Sequence, residues 1–154
     1  MNEQQKPPKL RIFNSEQECK DYFVNKLCKQ EIRTHDGYLV MFKPIHFKHA
    51  FYESDGKTKD GRFSFYRAKH IDWIQPTLAH PVGCHLGWDY KNKKVAPRKR
   101  VVYCYQTFIV VIEFRRNKKT AQIMADFITC YDAHRSFTKI SRQPIWNSKV
   151  LLDI

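Results

Sequence analysis

The strongest constraint on the fold is the texture of residues 84–131. The runs VVYCY at 101–105 and FIVVIEF at 108–114 are dense in β-branched and aromatic side chains. Such residues lose rotamer freedom in a helix and pack well on a pleated surface. Strands are therefore expected near 84–89, 100–106, 108–115 and 120–131, joined in succession as an antiparallel meander. Gln106 and Thr107 are a weak turn signal, and the central two strands could equally be one long strand. An apolar sheet of this kind needs a covering layer.

The preceding residues supply that layer. Ser15 stands three residues before Glu18, a capping-box pattern. Behind it Cys19, Phe23 and Leu27 recur at helical spacing. An apolar strand at 38–42 stops at Pro44, a helical turn or short helix spans 45–53, and 54–61 is a polar loop. Ala68, Ile71, Ile74 and Leu78 form one stripe of a helix, which Pro76 is expected to end or kink before Thr77 because proline has no amide hydrogen. After Asp132 a helix or loop carries His134 and Arg135. The expected class is α+β, with N-terminal helices packed on a four-stranded antiparallel β-meander. Residues 13–146 read as a single domain, with flexible tails at 1–12 and 147–154.

Charge narrows the partners. Of 154 residues, 28 are Lys or Arg and 15 are Asp or Glu, a formal net charge of +13. Apolar residues make up 42%, enough for a core, which excludes a wholly disordered basic chain. The segment 91–119 holds ten cations against one acid, Glu113. Its Lys93, Lys94, Arg98, Lys99, Arg100, Arg115, Arg116, Lys118 and Lys119 read as a nucleic-acid-binding rim, because each neutralised phosphate releases condensed counterions. The meander would bring both basic connections to one end of the sheet. That end would lie opposite Thr129 and Tyr131, about 25 Å away at ~3.3 Å per residue. No apolar run has the ~20 residues of a membrane span. The first residues carry no apolar leader core, and the five cysteines have no C-x-x-C spacing. Together these fit a cytoplasmic protein.

No P-loop, dinucleotide-binding or nucleophile-elbow motif is present. His46 and His49 stand three apart, but no spacing rule supplies a third ligand, so no metal and no cofactor are assigned. A metal-free alternative fits the residue types. Cleaving RNA through its 2′-hydroxyl needs a base, cations for the phosphorane and an acid, which His, Arg, Lys, Thr and Tyr can supply. Such residues occur at His46/Lys48/His49, at Arg67/His70, and at Thr129/Tyr131 followed by His134/Arg135. Thr129 and Tyr131 share a face of their strand because side chains alternate with period two.

The stretch YLVMFKPIHFKHAF at 38–51 resembles the strand and F-x-H entry of the phage-associated barnase–EndoU–colicin–RelE-like (BECR fold) nucleases. FSFYRAKHIDWI at 63–74, with Leu78 and Pro81, resembles their R-A-x-x-I-x-W-I helix, and FITCY at 127–131 their terminal T-x-Y. The resemblance implies a metal-independent endoribonuclease, often a toxin encoded by a mobile element. It matches His49, Arg67, Thr129 and Tyr131 to candidate catalytic positions; His46 and His70 are additional catalytic candidates, and Arg135 an additional nucleic-acid-binding residue. Implied partners are RNA, tRNA included, and an acidic antitoxin or immunity protein. The alternative is a non-catalytic nucleic-acid-binding module of a mobile element, stacking bases on Tyr90, Tyr103 and Tyr105.

Overall fold

The computed structural model describes residues 6–89, 94–95 and 100–150. The architecture is α+β. In chain order the elements are α1 (Glu16–Tyr22), β1 (Ile32–Arg33), β2 (Leu39–Met41), α2 (His46–Phe51), β3 (Tyr52–Glu53), β4 (Arg62–Phe63), α3 (Phe65–Ala68) and α4 (Ile74–Ala79). There follow β5 (Gly83–Leu86), β6 (Trp88–Asp89), β7 (Lys94–Val95), β8 (Arg100–Tyr105), β9 (Phe108–Arg116), β10 (Ile123–Asp132) and α5 (Phe137–Ser141). Strands β3–β4 and β6–β7 form separate antiparallel pairs. No helix among the described residues is long and apolar enough to cross a membrane.

The main sheet corrects the four-stranded expectation. It has six strands in the order β1-β2-β10-β9-β8-β5. Strands β8, β9 and β10 are antiparallel neighbours, and β5 pairs with β8. Strand β2 lies parallel to β10, so the sheet is mixed. The reason is that the apolar segment at 39–41 needs ladder partners as much as the C-terminal strands do, and finds them on the outer edge of β10. Gln106 takes the left-handed conformation (φ 51°), so 106–107 is a tight turn and β8 and β9 are two strands.

Both faces of the sheet are buried, which explains why β8 and β9 read as continuous apolar runs instead of alternating ones. Val101, Tyr103, Val110, Ile112, Phe114 and Phe127 face the helical layer, where they meet Phe23, Phe51, Ala68, Ile71, Ile74 and Leu78. Val102, Cys104, Ile109 and Val111 face a smaller core closed by Ala133, Phe137 and Ile140. Tyr103 is fully buried and cannot serve as the stacking surface expected of it. Tyr105 packs edge-on against Trp73, and Tyr90 lies outside the described residues.

Local signals act much as their chemistry dictates. Ser15 Oγ accepts from the Glu18 amide, while the Glu18 carboxylate accepts from Asn14, one residue earlier than a standard capping box. After Tyr22 the helix relaxes into a π-helical turn (Phe23–Leu27), and Cys19, Phe23 and Leu27 stay buried throughout. The 65–78 stripe is buried as expected, but the helix is broken into α3, a 3₁₀ turn (Ile71–Trp73) and α4. Pro76 sits in the first turn of α4, where its missing amide costs nothing, so the helix runs on to Ala79. The N-terminal segment is tied down before residue 13. The Trp73 indole donates to the Pro8 carbonyl, and Arg11 pairs with Asp72 at 2.8 Å. The five cysteines are free thiols, and burial pushes Cys19, Cys84 and Cys130 up to about 12.

Candidate active site

A β-bulge sets up the site. In the β10–β9 ladder Phe127 pairs with Ile112 and Thr129 with Val111, so Ile128 is an extra residue. Without it, period-two alternation would put Phe127, Thr129 and Tyr131 on one face. With it, Phe127 stays in the helical core while Thr129 and Tyr131 turn to the opposite face. Strand β2 pairs with β10 only at Ala125 and Asp126. Beyond that point α2 takes over the edge, and the Thr129 hydroxyl donates to the His49 carbonyl at 3.3 Å.

Around this edge lies a cleft of about 480 Å³ lined by His49, Arg67, Thr129 and Tyr131. Residues 49, 67 and 129–131 are remote in sequence, and the cleft brings them together. Lys59, Asp60, Arg100 and Lys139 also line it. Among the described residues its four Lys and Arg side chains face two carboxylates, Glu53 and Asp60, so the field they set inside is positive.

His49 stands on the last turn of α2, half-exposed, with Nδ1 3.1 Å from the Asp60 carboxylate. Asp60 adopts a left-handed backbone (φ 55°) at the end of the β3–β4 loop. That conformation is uncommon for a residue with a Cβ and is best tolerated by Asn and Asp. Asp55 orders the same loop by accepting from the Lys57 and Thr58 amides. With Nδ1–H donated to Asp60, the Nε2 lone pair is the one left for chemistry. Arg67 is anchored at both ends. Its amide is capped by Ser64 Oγ, and Nη1 donates to the Tyr52 carbonyl at 2.8 Å. Its guanidinium lies 5.3 Å over the Tyr131 ring.

The other expected groups lie elsewhere. His46 Nδ1 accepts from the Lys43 amide at the start of α2, and burial holds the imidazole below its usual range. His70 is buried, bonded to the Tyr66 carbonyl and stacked on Phe108. Neither lines the cleft. Arg135 is exposed beyond the end of β10. His134 stacks on Tyr66.

The basic rim divides. Arg100 pairs in register with Glu113, while Val102 pairs with Val111 and Val111 with Thr129. Arg100 is thus two residues from the level of Thr129, roughly 7 Å along the strand, and it lines the cleft. This corrects the expected 25 Å separation for that residue, because register and not chain order sets the distance. Arg115 is spent on Asp126 at 2.6 Å, and Arg116 donates to the Ala121 carbonyl. Lys118 and Lys119 are exposed in the β9–β10 turn. Lys91, Lys93, Arg98 and Lys99 lie outside the described residues, and Lys94 is described only as part of β7.

Sequence reasoning missed Asp60, Lys59 and Lys139 as cleft residues. The one available signal was the Lys-Asp-Gly end of the loop at 59–61, which marks a turn and says nothing of what it faces. Among the described residues no group of three or more His, Cys, Asp or Glu is placed to hold a metal ion. No protein-family model, curated protein or solved structure matches the chain.

Proposed function

We propose that the chain is an endoribonuclease of the BECR type, cutting RNA by attack of a 2′-hydroxyl on the adjacent phosphate without a metal ion. One observation carries the reading: a histidine oriented by a carboxylate opens into a positive cleft beside an anchored arginine. His49 Nε2 takes the proton from the 2′-hydroxyl. The O2′–P bond forms and the P–O5′ bond breaks; the departing O5′ takes a proton from solvent water, leaving a 2′,3′-cyclic phosphate and a 5′-hydroxyl, and His49 returns its proton to solvent. Arg67 and Lys59 balance the charge that grows on the phosphorane, a task for which fixed cations in a partly dry cleft are suited. Tyr131 donates to the same phosphate from beneath Arg67. Thr129 acts as a positioning residue, since its hydroxyl already holds the backbone of His49.

The test is purified protein with total RNA in EDTA, followed by mapping of both new ends. Cleavage is expected to persist and to leave cyclic phosphates. Activity lost in EDTA and restored by a divalent ion would overturn the mechanism.

The exposed Lys118 and Lys119 favour RNA contacts beyond the cleft. Their double substitution by Glu is expected to flatten the slope of log affinity against log salt by about one per lost phosphate contact. Stability should move by less than ~0.5 kcal/mol, as for most exposed loop positions. An unchanged slope would assign these lysines to solubility alone.

A further inference from the structure

The cleft is chemically two-sided. Its ionic wall suits a phosphate, but its floor is aliphatic, formed by Val102, Ile109, Val111, Ile128 and Ile140. A bound phosphate would leave the partly exposed side of that floor, Ile128 and Ile140, wet and unused. At about 480 Å³ the space is several times what a phosphate fills. It falls in the range of sites for small organic ligands, roughly 300–1,000 Å³.

Polar groups edge the floor where an apolar occupant would have to end. Arg100 reaches it from β8; its Nη2 pairs with Glu113 at 3.4 Å, while its Nε is buried and lacks a hydrogen-bond partner among the described residues. Gly87 makes room for this arginine, since a Cβ at Gly87 would lie 2.7 Å from Arg100 Cγ. The Gln143 side-chain amide lines the same cleft. A flat group with apolar faces and a hydrogen-bonding edge fits this arrangement: faces on the aliphatic floor, edge toward Arg100 and Gln143.

We propose that the apolar half of the cleft takes one unstacked nucleobase of the RNA, with the 3′-phosphate of that nucleotide held among Arg67, Lys59 and His49. The inference rests on the ribonuclease reading and names what the enzyme selects. The base must leave its helix to lie on the floor, so the bond that is cut follows an unpaired nucleotide.

Calorimetry on the full chain tests it with three kinds of probe: the four nucleoside 3′-monophosphates, ribose 3-phosphate and inorganic phosphate. At least one nucleotide is expected to bind roughly tenfold or more tighter than ribose 3-phosphate, in line with the worth of stacking one base. Ile140→Asn should remove most of that difference and leave inorganic phosphate affinity unchanged. Val102→Thr keeps the shape and adds one hydroxyl to the floor. It should act in the same direction and serves where Ile140→Asn fails to fold. Equal affinity for nucleotides and ribose 3-phosphate would overturn the proposal, as would a base-dependent difference that survives both variants. If RNA is cut while affinities are equal, the base pocket falls and the ribonuclease reading stands. Base-dependent binding that is lost in the variants, with no cleavage by the parent, upholds the pocket and sinks the ribonuclease reading.

Discussion

Replacing His49 by alanine is expected to lower RNA cleavage by ~10²–10⁴-fold, the usual worth of a positioned proton-transfer group. RNA affinity should change little, because Arg67 and Lys59, the cations proposed to hold the phosphate, remain in the cleft. Folding should also be nearly unaffected, since the His49 side chain is half-exposed and its ionic contact among the described residues is the partly exposed Asp60. Asp60→Asn separates orientation from proton transfer. An amide in place of the carboxylate can present its NH₂ to Nδ1 and stabilise the tautomer with the proton on Nε2, which cannot act as the base. That variant should lose activity at unchanged affinity and melting temperature. Cleavage rate, RNA affinity and thermal midpoint should be read on one preparation. A folded His49→Ala protein that cuts at the parent rate would remove this residue from the mechanism.

The largest expected effect on stability is at Phe23, which has no exposed surface. Its ring meets Phe42, Phe47, Phe51 and Phe127, with centroids 5.7–6.3 Å away. It therefore joins the π-helical turn, α2 and β10 in one aromatic cluster. Phe23→Ala should cost ~3–5 kcal/mol, the transfer of the ring plus the cavity it leaves. At about 2–4 °C per kcal/mol for a chain of this size, the midpoint should fall by roughly 6–20 °C. A drop under 2 °C would mean that the neighbouring rings collapse into the space. The comparison with His49→Ala is informative, because one substitution should change stability and the other rate.

The basic loops and the core answer to different physics. Screened surface charges set the Coulombic salt dependence, whereas the aromatic cluster carries no charge to screen. A parent chain that binds RNA with a steep salt slope yet never cuts would point to the binding-module reading.

What the sequence by itself determined is what local periodicity encodes. The β-branched runs at 101–105 and 108–114 are strands because their side chains fit a pleated, buried surface. The Ala68, Ile71, Ile74 and Leu78 stripe is buried because its spacing turns one face to the core. His49, Arg67, Thr129 and Tyr131 were singled out by residue chemistry and motif resemblance, with nothing in the spacing to say that they meet. Only the tertiary structure decided that β2 would lie parallel to β10, that Ile128 would bulge, that Asp60 would face His49, and that Arg100 would share a cleft with Thr129. These relations depend on strand register and loop closure between residues 11 to 85 positions apart. A shift of one residue in register exchanges the faces of a strand, and the energy that selects the register is summed over two cores at once. That sum is a property of the packed molecule, and no window of the sequence contains it.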